Sequence, residues 1–199
     1  MAKIDKKLIM DLRNITGLGM MDCKKALEEA GGDIDTAIEL LRKKGTLLAA
    51  KRAQRKTSEG IVHAYMHPGN RLGVMVEINC ETDFVARTDD IKQFAHDLCL
   101  HIAAMKPLYL SQEEVDPKFL EHEKSIFHDQ LADSGKPEKV LNQIIEGKVN
   151  KLYEDICLLK QPFVKNDQLT INDKLQELIA KTGENIRIKQ FCRFEVGST

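Results

Sequence analysis

The run Leu72-Gly73-Val74-Met75-Val76-Glu77-Ile78-Asn79-Cys80 alternates apolar and polar residues at the two-residue period of a half-buried strand. Val74, Val76, Ile78 and Cys80 fall on one face. A strand with one apolar face has to bury it, so this run calls for partner strands and a covering layer. It stops at Thr82-Asp83-Phe84-Val85. Downstream, Ile91, Phe94, Ala95, Leu98 and Ile102 recur at helical spacing, which places the tetrapeptide at a strand-to-helix corner. Corners face solvent. The Phe84-Val85 pair is either tucked back into the core or held out to enter a pocket on another molecule, and the local pattern alone favours the core.

Upstream, residues 1–45 read as three short helices. Leu8, Leu12 and Ile15 form the first stripe, which ends at Thr16-Gly17-Leu18-Gly19. Cys23, Ala26, Leu27 and Ala30 form the second, ending at Gly31-Gly32. Asp33 caps a third helix with Ile34, Ala37, Ile38 and Leu41, which is expected to end at Gly45. A three-helix unit is thus expected over 1–50 and a basic linker over 51–59, with Lys51-Arg52-Ala53-Gln54-Arg55-Lys56 as its charged part. An α+β core is expected over 60–199.

In that core, Ile61 to Met66 and Leu72 to Cys80 flank His67-Pro68-Gly69-Asn70-Arg71, the turn chemistry of a hairpin. Helical patterns follow over 88–105, from Asp116-Pro117 to about Asp133, and from Pro137 to about Lys160, the last seamed by Val140, Ile144, Ile145, Val149, Leu152 and Ile156. Gln161-Pro162-Phe163-Val164 breaks the pattern. A final helix spans Thr170 to Lys181, and Ile186 to Phe194 alternates as a last strand. Two hairpin strands and a late one make a small antiparallel sheet with helices on one side.

The chain has 199 residues, 42% of them apolar and 31% charged, as in soluble globular proteins. Lys and Arg total 30 against 31 Asp and Glu, a balance that favours neither nucleic acid nor an anionic membrane. Met1-Ala2-Lys3-Ile4-Asp5 lacks the apolar run of a signal peptide, and a cytoplasmic location is expected. The cysteines at 23, 80, 99, 157 and 192 include no CxxC pair, which suggests neither a disulfide framework nor a zinc site. The first four sit among apolar neighbours as small buried hydrophobes; Cys192, between Phe191 and Arg193, stands apart.

Catalytic chemistry leaves little trace. Gly135-Lys136 and Gly147-Lys148 lack the upstream glycine of a phosphate loop, and Gly17-Leu18-Gly19 follows no strand. No bound nucleotide and no cofactor is expected. His63 and His67 flank a turn rather than share a helix face. Glu81 and Asp83 share a face of an extended chain, but no third ligand stands near them in sequence. A protein that is not an enzyme is expected.

Four segments taken in order resemble the elongation factor Ts family, the exchange factors of the GTPase elongation factor Tu. They are Thr16-Gly17-Leu18-Gly19-Met20-Met21-Asp22-Cys23-Lys24-Lys25-Ala26-Leu27; Thr82-Asp83-Phe84-Val85; Leu158-Leu159-Lys160-Gln161-Pro162-Phe163-Val164; and Gly183-Glu184-Asn185-Ile186 with Phe191-Cys192-Arg193-Phe194-Glu195-Val196-Gly197. The resemblance covers nearly the whole chain. It implies an N-terminal ubiquitin-associated-like domain that docks on the GTPase domain through Leu12, Met20, Met21 and Lys24, where Met21 is either such a contact or packed against the third helix. It further implies a working tip of Thr82, Asp83, Phe84 and Val85. Phe84 would wedge behind the nucleotide pocket so that magnesium and the phosphate-binding loop lose their grip on GDP, while Asp83 sets the turn or hydrogen-bonds the partner. Longer members carry two related core subdomains and an inserted coiled coil. This chain has one copy and resembles the short form, which pairs as a homodimer, with the strand holding Phe191 and Cys192 as the seam.

Two rival readings differ in class. A nucleic-acid-binding module on Lys51–Lys56 predicts steeply salt-dependent binding. A small hydrolase built on Glu81, Asp83 and a histidine predicts turnover that Asp83→Asn abolishes.

Overall fold

The computed structural model describes residues 4–131 and 137–198. Helices α1 (Lys6–Thr16), α2 (Met20–Glu29) and α3 (Ile34–Arg52) come first, then strands β1 (Glu59–Met66) and β2 (Leu72–Cys80). A single helical turn, α4 (Asp83–Ala86), leads into α5 (Asp89–Met105), α6 (Pro117–Leu131) and α7 (Glu138–Ile156). The chain closes with β3 (Pro162–Phe163), β4 (Asn166–Thr170), α8 (Ile171–Thr182) and β5 (Arg187–Glu195). The fold is α+β. Its antiparallel sheet runs in the order β1-β2-β5, so β2 is central and the late strand reaches it by a crossover. As the alternation requires, Val74, Val76, Ile78 and Cys80 are all buried while Met75 between them is exposed.

The chain gathers into two compact units. One takes the residues up to Val62 with Glu77–Phe94 and Asp173–Lys189, and the other takes His63–Val76, Ala95–Asn172 and the residues from Gln190 on.

In the first unit, Ile9, Leu12, Cys23, Ala26, Leu27, Ala37 and Leu41 make the core of the three helices. The stripe on α1 is therefore Ile9 and Leu12, and Ile15 is exposed rather than buried. Packing against α2 and α3 turns Ile9 and Leu12 inward, and at the end of the helix the Thr16 hydroxyl donates to the Leu12 carbonyl at 2.8 Å. Gly17, at φ 69°, closes α1 in the left-handed conformation that glycine adopts without strain. Asp33 caps α3 by accepting from the Thr36 amide at 2.7 Å.

Helix α3 does not stop at Gly45; it continues to Arg52. Gly45 is an interior helical residue chosen for close approach, since a Cβ there would stand 3.3 Å from the Cβ of Ala180 on α8. Beside it the Thr46 hydroxyl meets Gln176 at 2.6 Å, and Arg42 lies 3.7 Å from Glu177. Lys51 and Arg52 thus belong to the last turn of α3 rather than to a linker, where their charge complements the helix C-terminus.

In the second unit the hairpin turn is as its residues dictate: Gly69 and Asn70 both take positive φ, and the His67 amide donates to Leu72 at 2.8 Å. Helix α7 ends at Ile156, and Leu158–Lys160 form a separate 3-10 turn. The short β3–β4 hairpin was not signalled by any alternation. Its place is set instead by His101 and Gln161, whose side chains meet in the interior at 2.9 Å. No helix among the described residues is long and apolar enough to cross a membrane.

Candidate functional site

The end of β2 hands the chain to α4 through a tightly bonded corner. The Cys80 thiol donates to the Thr82 carbonyl at 3.1 Å, and burial pushes that thiol's pKa up. Thr82 is extended (φ −129°, ψ 156°) and caps α4, its hydroxyl oxygen accepting from the Val85 amide at 3.5 Å. The same hydroxyl donates to Oε1 of Glu184 at 2.6 Å. Oε2 of Glu184 accepts the amides of Glu81 at 3.1 Å and Thr82 at 3.0 Å.

Glu81 returns the arrangement. Its Oε1 accepts the Asn185 amide at 2.6 Å, and Arg55 lies 3.4 Å from its other oxygen. The buried Asn185 side chain donates in turn to the Arg55 carbonyl at 2.8 Å. Glu81 is thereby committed to protein partners. Among the described residues, no three His, Cys, Asp or Glu side chains group as a metal ligand set.

From this anchored corner the single turn of α4 points its side chains in opposite directions. Val85 is 8% exposed and packs inward, whereas Phe84 is 79% exposed. A phenyl ring left in water forgoes about 2 kcal/mol that burial would supply. The local pattern favoured burial of the pair; the structure splits it. Asp83 pairs with Arg87 one turn on at 2.8 Å, an exposed i,i+4 contact that steadies α4 only slightly.

The second expected contact area lies on the helical part of the same unit. Met21 is 62% exposed, Met20 is also exposed, and Lys24 is exposed with its ammonium 3.7 Å from Glu28. Met21 is therefore not buried against α3. Leu12 is 0% exposed and belongs wholly to the three-helix core, so it has no surface to offer a partner. Ile15, read as core, is exposed just before the turn that leads to Met20. Lys181 of α8 holds this turn: its aliphatic chain fills the space over Gly17, where a Cβ would stand 2.9 Å from Cε, and its ammonium reaches Asp90 at 2.6 Å.

At the expected seam, Phe191 and Cys192 are half-buried in β5. The bare apolar groups lie just beyond them, at Phe194 and Val196. Cys23, Cys80, Cys99 and Cys157 are buried free thiols. Cys99 is pushed up to about 12, by burial first and by the nearby Cys192 second. His63 and His67 do not converge: His63 packs edge-on to His96, and His67 bonds the Tyr65 hydroxyl at 2.9 Å. In the basic run, Arg52 is half-buried and Arg55 is turned toward Glu81. Glu184, Asn185 and Lys181 are the site residues to which the sequence reading assigns no role. The only sign in the sequence was their place in and beside the Gly183-Glu184-Asn185-Ile186 segment.

A sequence model described as Elongation factor TS matches residues 13–198. The chain is 53% identical over 197 residues to an Elongation factor Ts from Desulfitobacterium hafniense, covering 99% of this chain and 91% of that one. It is 52% identical over 194 residues to another from Carboxydothermus hydrogenoformans, covering 98% and 89%. A third, from Thermosipho melanesiensis, is 50% identical over 194 residues, covering 98% of this chain and 99% of its own length. With matches of this extent, the chain belongs to the elongation factor Ts family.

Proposed function

We propose that the chain is a guanine nucleotide exchange factor for elongation factor Tu that acts by inserting the Asp83-Phe84 turn beside the nucleotide site. Family membership supports exchange on elongation factor Tu in general. The observation that carries the finer reading is the exposure of Phe84, at 79%, on a corner otherwise tied down by hydrogen bonds. A large ring held bare on a rigid mount is suited to entering a pocket, and a mobile one is not.

The proposed factor makes and breaks no covalent bond, carries no cofactor and binds no nucleotide of its own. It works in the cytoplasm by coupling: whatever it subtracts from nucleotide affinity, nucleotide subtracts from its own affinity. A release accelerated about ten-thousand-fold needs about 5.5 kcal/mol off the barrier, while truncating one aromatic hot spot typically costs about 2 to 4 kcal/mol. Phe84 alone falls short. The exposed Ile15, Met20 and Met21 around the α1–α2 turn are the natural second contact, with Lys24 at their edge. As in the short family form, two copies pair as a homodimer through the β5 region, completing one platform.

The experiment is release of a fluorescent GDP analogue from elongation factor Tu with and without the protein, repeated with Phe84→Ala. Acceleration lost in the variant supports the wedge. No acceleration by the unmutated protein would end the exchange-factor reading, and full acceleration by the variant would end the wedge alone.

A further inference from the structure

The reciprocal strapping between the 81–82 and 184–185 segments has a functional consequence, which rests on the exchange reading above. We propose that Glu184 is a positioning residue for Phe84: its carboxylate fixes the corner that aims the ring, so that contact with the GTPase strains the nucleotide site rather than bending the tip.

Each segment caps the backbone of the other. Glu184 accepts two consecutive amides, Glu81 and Thr82, and the Thr82 hydroxyl; Glu81 accepts the Asn185 amide. The arrangement works as a capping box does at a helix start, but between stretches 102 residues apart in sequence. Helix α8 aims the carboxylate: Gly183 ends the helix at φ 77°, and the Glu184 amide donates to the Thr182 hydroxyl at 3.3 Å. A side chain on Gly183 would crowd Arg52, 3.2 Å from the Cβ position.

The strapped residue Thr82 is also the cap of α4, two positions before Phe84. The ring itself is bare, so its direction is set through the backbone of the turn that carries it. A wedge transmits force only through its mount. If the mount yields, contact with the partner is spent on ordering the tip and the site loses transition-state stabilisation rather than encounter affinity. Charge-assisted bonds from a carboxylate to backbone amides are among the stronger ones available for this task.

The test uses the full-length protein and a fluorescent GDP analogue on elongation factor Tu. Glu184→Ala should lower the maximal release rate about tenfold while moving the half-saturating factor concentration less than about threefold. Glu184→Gln, whose carbonyl oxygen still accepts both amides, should recover most of the rate. Adding Glu184→Ala to Phe84→Ala should slow release by no more than about twofold beyond Phe84→Ala, since a residue acting through the ring has nothing left to act on. A normal rate in Glu184→Ala, or a full further loss in the double variant, would overturn the proposal.

A second arm needs no partner. In the free protein the Glu81 and Thr82 amides should exchange hydrogen about tenfold faster in Glu184→Ala than in the unmutated chain, and unchanged exchange would overturn the strap. Should Glu184→Ala fail to fold, Thr82→Val, which removes only the hydroxyl's bonds, is read in both arms with losses expected in the same direction. If the unmutated protein does not accelerate release at all, the exchange reading falls, and hydrogen exchange still decides whether Glu184 holds the corner.

Discussion

Nε2 of His101 lies 2.9 Å from Oε1 of Gln161, and neither residue has exposed surface. The Val164 amide donates to the other ring nitrogen at 3.2 Å, so the ring is neutral with its proton on Nε2, donating to Gln161. Gln161 donates in turn to the Asp155 carbonyl at 2.8 Å. The bonds satisfy every polar atom of the pair's facing groups and pin β3 to α5. They explain the glutamine at the break after α7 in structural terms.

An acid sensitivity follows. Burial lowers the pKa of His101, only partly opposed by the bond to Gln161. The unfolded chain takes up a proton near the ordinary imidazole value of about 6.5, while the folded chain resists until lower pH. Stability is thus fully present above about pH 6.5 and declines as the pH falls below it. Urea midpoints between about pH 7.5 and 5.5 should drop in the unmutated protein and drop less in His101→Leu. That variant should also be weaker by about 2 kcal/mol at neutral pH, because Gln161 and the Val164 amide lose their partner.

Phe84→Ala should leave stability within about 0.5 kcal/mol of the unmutated chain while abolishing at least about nine-tenths of the exchange acceleration. Stability changes little because the exposed ring loses little apolar contact on truncation. Thermal melts and nucleotide release measured on the same preparation separate the two. A large fall in melting temperature would mean that the ring is a packing residue.

How legible this was depended on whether the deciding contact was local. The period-two run of β2 admits one burial pattern, and the structure has it. The glycine at 45 carries the same letter whether it ends a helix or lets one pass close to another; the choice is made by Ala180 and Gln176, far along the chain. Ile15 and Ile9 both suit an amphipathic α1, and packing against α2 and α3 selects Ile9. The family resemblance implies Leu12 as a partner contact, yet the core of the three helices takes it. The exposure of Phe84 contradicts the local apolar pattern, and only the four motifs in order pointed to it. The Glu184 strap joins two of the motif segments, but nothing in either segment alone shows that they bond to one another across 102 residues.

Gly60 and Gly69 should respond very differently to alanine. A Cβ on Gly60 would overlap the backbone carbonyl oxygen of Ile78 and stand 2.8 Å from the Asn79 Cα, neither of which can move without parting β1 from β2. A Cβ on Gly69 would meet nothing within 4 Å, leaving only the strain of its φ of 92°. Gly60→Ala should cost about 3 kcal/mol and Gly69→Ala about 1 kcal/mol, read from urea unfolding. Equal costs would show that the Gly60 backbone relaxes away from Ile78.

The proposed homodimer should survive Cys192→Ser and yield to Phe194→Glu. Cys192 is half-buried within its own strand, and in a reducing compartment a disulfide across the seam would not persist. Exposed apolar side chains are the better source of affinity. Met66 and Met75 are bare on the hairpin, Phe194 and Val196 are bare at the end of β5, and the Val196 amide donates to Arg71 at 2.8 Å, which keeps that end beside the turn. In a two-fold pairing each of these groups is used twice, so a single charge at position 194 places two uncompensated carboxylates in one apolar seam. Sedimentation velocity at micromolar protein should therefore show dimers for the unmutated chain and for Cys192→Ser under reducing conditions, and monomers for Phe194→Glu. Monomers for the unmutated chain would reject the homodimer. Dimers that persist in Phe194→Glu would move the seam elsewhere.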